Sequence, residues 1–261
     1  MTEASEVHEA RIIIVVDEDA ANHAAATHIA RSLAAAVASR GRADWATTGG
    51  SAAPGIYRHL ADSPLCDEVP WADVHVWWGD DRFVPRDHPL SNVKPLEELL
   101  CANPGLRLPV GNLHTFQCGE AIADGRDASS VARRLAADLA GAGLVMADGF
   151  PVLDLFLLGV GGDGHIMSVF PGSEAFDAAA WALAIPAPSH IEPHVARVTM
   201  HPSLVRVARE VLVVATGTGK AAILAEVLGP TRDERRWPAQ LARHERATWI
   251  LDDAAAALLP R

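Results

Sequence analysis

His165 and Asp163 stand two residues apart in a glycine-rich stretch, Gly159-Val160-Gly161-Gly162-Asp163-Gly164-His165, that follows the solid apolar run 153–158. An imidazole titrates near neutrality and is the commonest general base, and a carboxylate beside it can orient it or meet a ligand. A buried strand emptying into glycines brings backbone N–H groups up to a ligand and holds such a base next to them. Of the twelve histidines, His165 is the one in this setting; most of the others lie in polar stretches. The competing reading is a histidine that merely caps the turn through a backbone carbonyl.

Three more polar turns carry groups suited to an anion. In Thr48-Gly49-Gly50-Ser51, Ser51 is a candidate helix N-cap with Pro54 in the first turn, which leaves N–H groups and a positive dipole end as a seat for phosphate. In Gly79-Asp80-Asp81-Arg82, the guanidinium fork of Arg82 suits phosphate or carboxylate better than an ammonium does. Asp80 and Asp81 could hold a divalent cation, but nothing nearby supplies an octahedral cage, so metal is the less favoured reading. Thr216-Gly217-Thr218-Gly219-Lys220 adds a cation without being a P-loop: Ala221 follows the lysine and the glycine spacing is too short. Gly159, Gly161 and Gly164 match the dinucleotide fingerprint, yet Pro171-Gly172 stops any helix early, and Pro186 and Pro188 occupy the place of the required second strand. No nucleotide or other cofactor is implied.

These turns need elements to hold them. Residues 11–16 read as a β-branched strand, followed by a helix capped by Asp19 in which Ile29, Leu33 and Val37 recur on one face before Gly41. Further strands are expected at 44–48, 74–78, 153–158, 195–199, 211–215 and 248–251, and helices at 52–60, 127–140, 221–228 and 253–259. Residues 101–124 and 229–246 read as long connections. Strands alternating with helices predict an α/β fold: a mainly parallel, doubly wound sheet with helices on both faces. In such a sheet ligands bind beyond the carboxyl ends of the strands, so all four turns converge on one crevice.

Composition bounds the rest. The 261 residues fit a single α/β domain spanning 1–261, and a net charge of −11 excludes an extended nucleic-acid surface while permitting a small phosphorylated ligand. Cys66, Cys101 and Cys118 lack metal or disulfide spacing. No apolar run is long enough to cross a bilayer, and the acidic start MTEASEVHEAR lacks the marks of a signal peptide, so a cytoplasmic protein is expected, with no membrane partner. Monomer and homodimer both remain open.

Four segments in order, TTGGSAAP (47–54), WWGDDRFVPRDHPLSN (77–92), LLGVGGDGHIMSVFPG (157–172) and RVTMHPSLVRVAREVLVVATGTGKA (197–221), together resemble the 6-phosphogluconolactonase family, and the closing TWILDDAAA extends the likeness over nearly the whole chain. The resemblance implies a fold like that of glucosamine-6-phosphate deaminases and ribose-5-phosphate isomerases (NagB/RpiA-like). It also implies a carboxylic ester hydrolase acting on 6-phospho-D-glucono-1,5-lactone, in the second step of the oxidative pentose phosphate pathway, with no cofactor or metal. Carried over residue by residue, it makes His165 the general base with Asp163 beside it. Arg82, Arg197 and Lys220 become the groups that grip phosphate and sugar, and Gly49, Gly50, Ser51, Asp80 and Gly161 parts of the pocket. Asp81 stands where the family more often has Glu, and Ala52-Ala53 stands in place of the usual Thr or similar residue after the serine. The related glucosamine-6-phosphate deaminases carry an acid five residues after the histidine; Phe170 occupies that place, and an apolar ring cannot relay a proton. A non-catalytic sugar-phosphate sensor is the other alternative, but it would lose the base and usually carry a basic helix-turn-helix, whereas His165 is kept and no such segment precedes residue 11.

Overall fold

β-Branched and leucine-rich runs become strands here wherever both of their faces can be covered. The computed structural model describes residues 10–259; residues 1–9, most of the start read as lacking a leader, lie outside the described residues. In chain order the elements are β1 (Arg11–Val15), α1 (Glu18–Arg40), β2 (Ala43–Thr47), α2 (Ala52–Ala61), α3 (Leu65–Glu68), β3 (Val74–Trp78), β4 (Asp80–Arg82), α4 (Val93–Leu96), β5 (Leu113–His114), α5 (Cys118–Ala123) and α6 (Ala128–Gly141). The short pair β6 (Met146–Ala147) and β7 (Phe150–Pro151) follows, then β8 (Leu155–Leu158), β9 (Ala182–Ile185), β10 (Arg197–Met200), α7 (Ser203–Val207), β11 (Glu210–Ala215), α8 (Ala221–Val227) and β12 (Ala247–Asp252).

Seven strands form one sheet in the order β1-β12-β11-β8-β2-β3-β5, and every pairing in it is parallel. Chain order runs outward from its middle, through β3 to β5 on one side and through β11 to β12 on the other. The direction of winding therefore reverses between β8 and β2, where diverging loops leave a crevice. β11, β8, β2 and β3 are consecutive neighbours, so the four turns singled out in the sequence emerge side by side.

Burial explains why this scaffold is rigid. All four residues of β8 are buried, and Trp45, Trp77, Trp78 and Trp249 are fully enclosed. Each such side chain contributes about 1.5–3 kcal/mol. Three of the indoles also donate inward: Trp77 to Asp44 Oδ1 (2.9 Å), Trp78 to the Asn92 carbonyl (3.0 Å) and Trp249 to the Ala242 carbonyl (2.8 Å). Two of these acceptors, Asn92 and Ala242, lie in connecting segments, so the buried indoles tie the loops to the sheet.

Five local expectations need correction. Asp17, not Asp19, caps α1: it is extended (φ −155°, ψ 178°) and accepts the Ala20 N–H at 2.9 Å, because β1 releases the chain one residue early. Ser51 precedes α2 with helical backbone angles and makes no capping bond through its side chain. The turn expected at 79–82 is mostly strand: β4 pairs antiparallel with β10, which pairs with β9, so the strand expected at 195–199 belongs to a separate three-stranded sheet. Within the connection 101–124, β5 forms the far edge of the main sheet. Residues 253–259 make turns instead of a helix; the Asp252 carboxylate accepts the Ala255 N–H (2.7 Å) as a helix N-cap would, but is shared with the Gly217 N–H (3.0 Å), which ties the segment to a neighbouring loop.

The histidines were not uniformly solvated either. His114 stacks on Trp77 at 3.8 Å and its Nε2 lies 2.9 Å from His75 Nδ1. Burial first, then the charges of His75 and Arg42, push its pKa from 6.5 down to about 4. The unfolded chain therefore binds this histidine's extra proton between those two values, and the contribution of His114 to stability falls as pH drops from about 6.5 to about 4. Urea midpoints measured across that interval should fall more steeply for the native chain than for His114→Phe, which keeps the ring stack without the titration.

Candidate active site

The carboxyl ends of β11, β8, β2 and β3 enclose a cavity of about 240 Å³. Nine of the residues expected from the sequence line it: Gly49, Gly50, Ser51, Asp80, Arg82, Gly161, His165, Arg197 and Lys220. Asp163, the tenth, stands behind His165, outside the lining.

No helix follows β8, which removes the dinucleotide reading; the loop folds back on itself instead. Gly161 N–H donates to the His165 carbonyl (2.8 Å) and Gly164 N–H to the Gly161 carbonyl (3.0 Å). Gly164 needs its φ of 84°, and its carbonyl accepts the Ala239 N–H at 2.9 Å. The Gly161 N–H is therefore committed inside the loop and is no donor to a ligand. What Gly161 supplies is room: a Cβ there would lie 2.0 Å from His165 Nδ1.

Asp163 orients the imidazole. Its Oδ1 lies 2.5 Å from His165 Nδ1 and 3.1 Å from the His165 N–H. Burial works against this carboxylate's charge, but the donations from His165 and His190 prevail and hold it well below the usual carboxylate range. Since a carboxylate only accepts, Nδ1 carries the proton and Nε2 keeps its lone pair. The ring is held by a side-chain carboxylate and not by a backbone carbonyl, an arrangement that a general base can use.

Arg82 and Arg197 sit directly opposite one another in the β4–β10 ladder, so both guanidinium groups leave the same face of the small sheet. Like charges facing each other across strands repel. Arg82 Nη1 donates to the Leu90 carbonyl (2.9 Å) and Arg197 Nη2 to the Pro193 carbonyl (3.1 Å), while both buried Nε atoms lack a partner among the described residues. Burial lowers the Arg197 pKa, Asp80 countering and Arg82 reinforcing it. Burial also lowers that of Lys220, against the pull of Asp163. Three cations therefore face one cavity, with Asp80 and Glu192 as the carboxylates of its lining.

The two aspartates of the third turn are structural partners more than ligands. Asp80 accepts Ser168 Oγ (2.6 Å) and Asn92 Nδ2 (3.1 Å); Asp81 accepts the Asn92 N–H (2.7 Å) and the Arg82 N–H (2.8 Å). Burial raises Asp81 to about 7 despite those two donors, with Asp80 adding to the rise. Among the described residues no three His, Cys, Asp or Glu side chains are grouped to hold a metal ion.

Sequence reading passed over Asn92, Met167, Ile191 and Glu192, which also line the cavity. Asn92 approaches so closely that a Cβ on Gly49 would lie 1.8 Å from its Oδ1, so that glycine is needed for the approach. Met167 adopts φ 52°, a left-handed conformation costing about 1–2 kcal/mol, and packs its side chain against Gly79. Nothing in its sequence context announces that.

A parallel sheet with an oriented imidazole and paired arginines at its switch point defines an α/β enzyme built for small anionic substrates. The chain belongs to the glucosamine-6-phosphate isomerase/6-phosphogluconolactonase family, whose sequence model matches residues 16–250. Within it, the chain is 32% identical over 253 residues to a 6-phosphogluconolactonase of Streptomyces coelicolor, covering 96% of this chain and 95% of that one. It is 33% identical over 214 residues to the 6-phosphogluconolactonase of Aggregatibacter actinomycetemcomitans, with 81% and 85% covered. The solved 6-phosphogluconolactonase from Trypanosoma cruzi superposes with a TM-score of 0.85 at 25% identity, over 99% of this chain and all of that one. A monomeric glucosamine-6-phosphate deaminase shares the fold at 17% identity and a TM-score of 0.78. No helix among the described residues is long and apolar enough to cross a membrane.

Proposed function

We propose that this chain hydrolyses 6-phospho-D-glucono-1,5-lactone to 6-phospho-D-gluconate in the cytoplasm, by general-base activation of water at His165. The observation that carries the reading is the meeting, in one cavity, of an oriented imidazole with a pair of cross-strand arginines. The phosphate lies between Arg82 and Arg197 with Lys220 on its far side, which places the lactone carbonyl at Nε2 of His165. Nε2 takes a proton as a water oxygen bonds to the carbonyl carbon. The resulting imidazolium stands beside the ionised Asp163 and returns the proton to the ring oxygen as the C–O bond breaks. Such assistance typically contributes about 10²–10⁴-fold, which suffices for an activated ester.

Phe170 supports hydrolysis over deamination. Its ring packs at 4.8 Å from His165 and beneath the Arg197 guanidinium at 5.4 Å, where a proton relay would need an ionisable group. Freshly generated lactone should be consumed well above its spontaneous rate in a coupled or pH-stat assay, with no ammonia released from glucosamine 6-phosphate. Ammonia release, or no acceleration of lactone opening, overturns the reading.

Arg82→Ala removes one half of the anion seat and leaves the base in place. A hydrogen bond to a charged group is worth about 1.5–3 kcal/mol, so KM should rise roughly tenfold or more with kcat little changed. Steady-state kinetics showing the loss in kcat alone would move this arginine from phosphate binding to the chemical step.

A further inference from the structure

The carboxylate behind the general base has a second oxygen, and it is not idle. Asp163 Oδ1 takes both donations from His165, while Oδ2 lies 3.2 Å from Nε2 of His190. Among the described residues no other side chain is within hydrogen-bond distance of that oxygen. Because the carboxylate only accepts, the His190 Nε2 carries the proton.

His190 belongs to the segment 186–196, whose next residues, Ile191 and Glu192, form a wall of the cavity. The segment is folded on itself by His194 Nδ1 against the Pro188 carbonyl (2.7 Å), and is tied to its surroundings by Arg197 donating to the Pro193 carbonyl (3.1 Å) and by the Phe83 N–H donating to the Ala196 carbonyl (2.8 Å). The His190 ring also meets Phe170 edge-on, with centroids 5.3 Å apart and planes at 86°. Phe170 in turn packs on the imidazole of His165. His190 therefore reaches the general base by two routes, one polar through Asp163 and one apolar through Phe170.

We propose that His190 is a positioning residue, which locks the plane of the Asp163 carboxylate and thereby fixes the orientation of His165. The carboxylate torsion of an aspartate is broad and roughly two-fold, so donors on one oxygen alone leave its plane loosely set. A donor on the other oxygen removes that freedom and keeps the short Nδ1 contact aligned. Sequence gives no hint of this, since His190 lies in an aperiodic stretch between prolines. The inference rests on the lactonase reading for its kinetic consequence, though not for its structural one.

Three substitutions separate the two routes. His190→Phe keeps a ring against Phe170 and removes the donor; His190→Ala removes both; His190→Gln restores an N–H at nearly the same reach. The ring is half exposed, so the effect is moderate: kcat should fall about three- to tenfold in His190→Phe and further in His190→Ala, with KM unchanged. His190→Gln should recover to within about twofold of the native kcat. Long-range ¹H–¹⁵N spectra should show the Nδ1–H tautomer of His165 sharply in the native chain and in His190→Gln, and exchange-broadened in His190→Phe.

Native kcat in both the Phe and Ala variants, a loss confined to KM, or a Gln variant no better than Phe overturns the proposal. So do His165 spectra that are identical in all four proteins. Should the native chain fail to open the lactone at all, the lactonase reading falls, and the spectra alone still decide whether His190 orders His165.

Discussion

Exchanging His165 for asparagine is expected to cut kcat by about 10²–10⁴-fold and to move KM by less than about threefold. The asparagine amide can still donate to Asp163 Oδ1 in place of Nδ1, so the loop keeps its fold. What disappears is the lone pair on Nε2, while the cations that bind the phosphate stay in place. The pH dependence sharpens the test. The Asp163 pKa is depressed in the folded protein, so its ionised, hydrogen-bonded state persists as pH falls and is lost only far below the ordinary carboxylate range. Activity lost on mild acidification of the native chain is therefore not the protonation of this carboxylate. In His165→Asn, the residual rate should be flat across that interval once spontaneous opening is subtracted. A variant with native turnover, or one that retains the acid limb, removes His165 from the chemical step.

The parts of this site legible in sequence were those built from contiguous residues. A parallel strand buried on both faces is written as a largely apolar run, interrupted in β2 by Asp44 and in β3 by His75, so β2, β3, β8 and β11 could be placed to within two residues at either end, and the turns after them followed. The Asp163–His165 pair is likewise local, and the structure adds the distance of 2.5 Å between them. The arginine pair was not legible as a pair. It depends on the register of a three-residue strand against a four-residue one, too short for any period to show, and brought together from opposite halves of the chain. Competition between equivalent neighbours hid other features: Asp17 and Asp19 are both competent caps, and only the end of β1 decides between them. The alanine-rich stretch after Asp252 has the propensity for a helix, but the carboxylate is shared with a second loop, and tertiary bonding overrides propensity there. Asn92, Met167 and His190 are placed by approaches of the chain that no local pattern encodes.

Gly161→Ala should fold, bind and fail to turn over, with kcat lowered about a hundredfold. The added methyl carbon would lie 2.0 Å from His165 Nδ1 and 2.1 Å from Cε1, well inside contact distance. The backbone is no obstacle, since Gly161, unlike Gly164, is not held at positive φ. Strain therefore has to be relieved by the imidazole. Phe170 stands at 4.8 Å on one side, so the ring must tilt toward the cavity and give up its bond to Asp163. A displacement of about 1 Å at a reacting group is enough for a hundredfold loss, and none of the three cations moves with it. Two comparisons isolate the cause. Gly219→Ala adds a methyl in another rim turn, at a position with nothing within 4 Å and without positive φ, and should keep native rates. In the His165→Asn background, adding Gly161→Ala should cost little more, because two changes that disable the same base do not add. Steady-state rates and thermal midpoints of these proteins decide the matter: native kcat in Gly161→Ala would mean that the imidazole works from another position than the one described, and equal losses in Gly219→Ala would make the effect one of rim rigidity and not of the base.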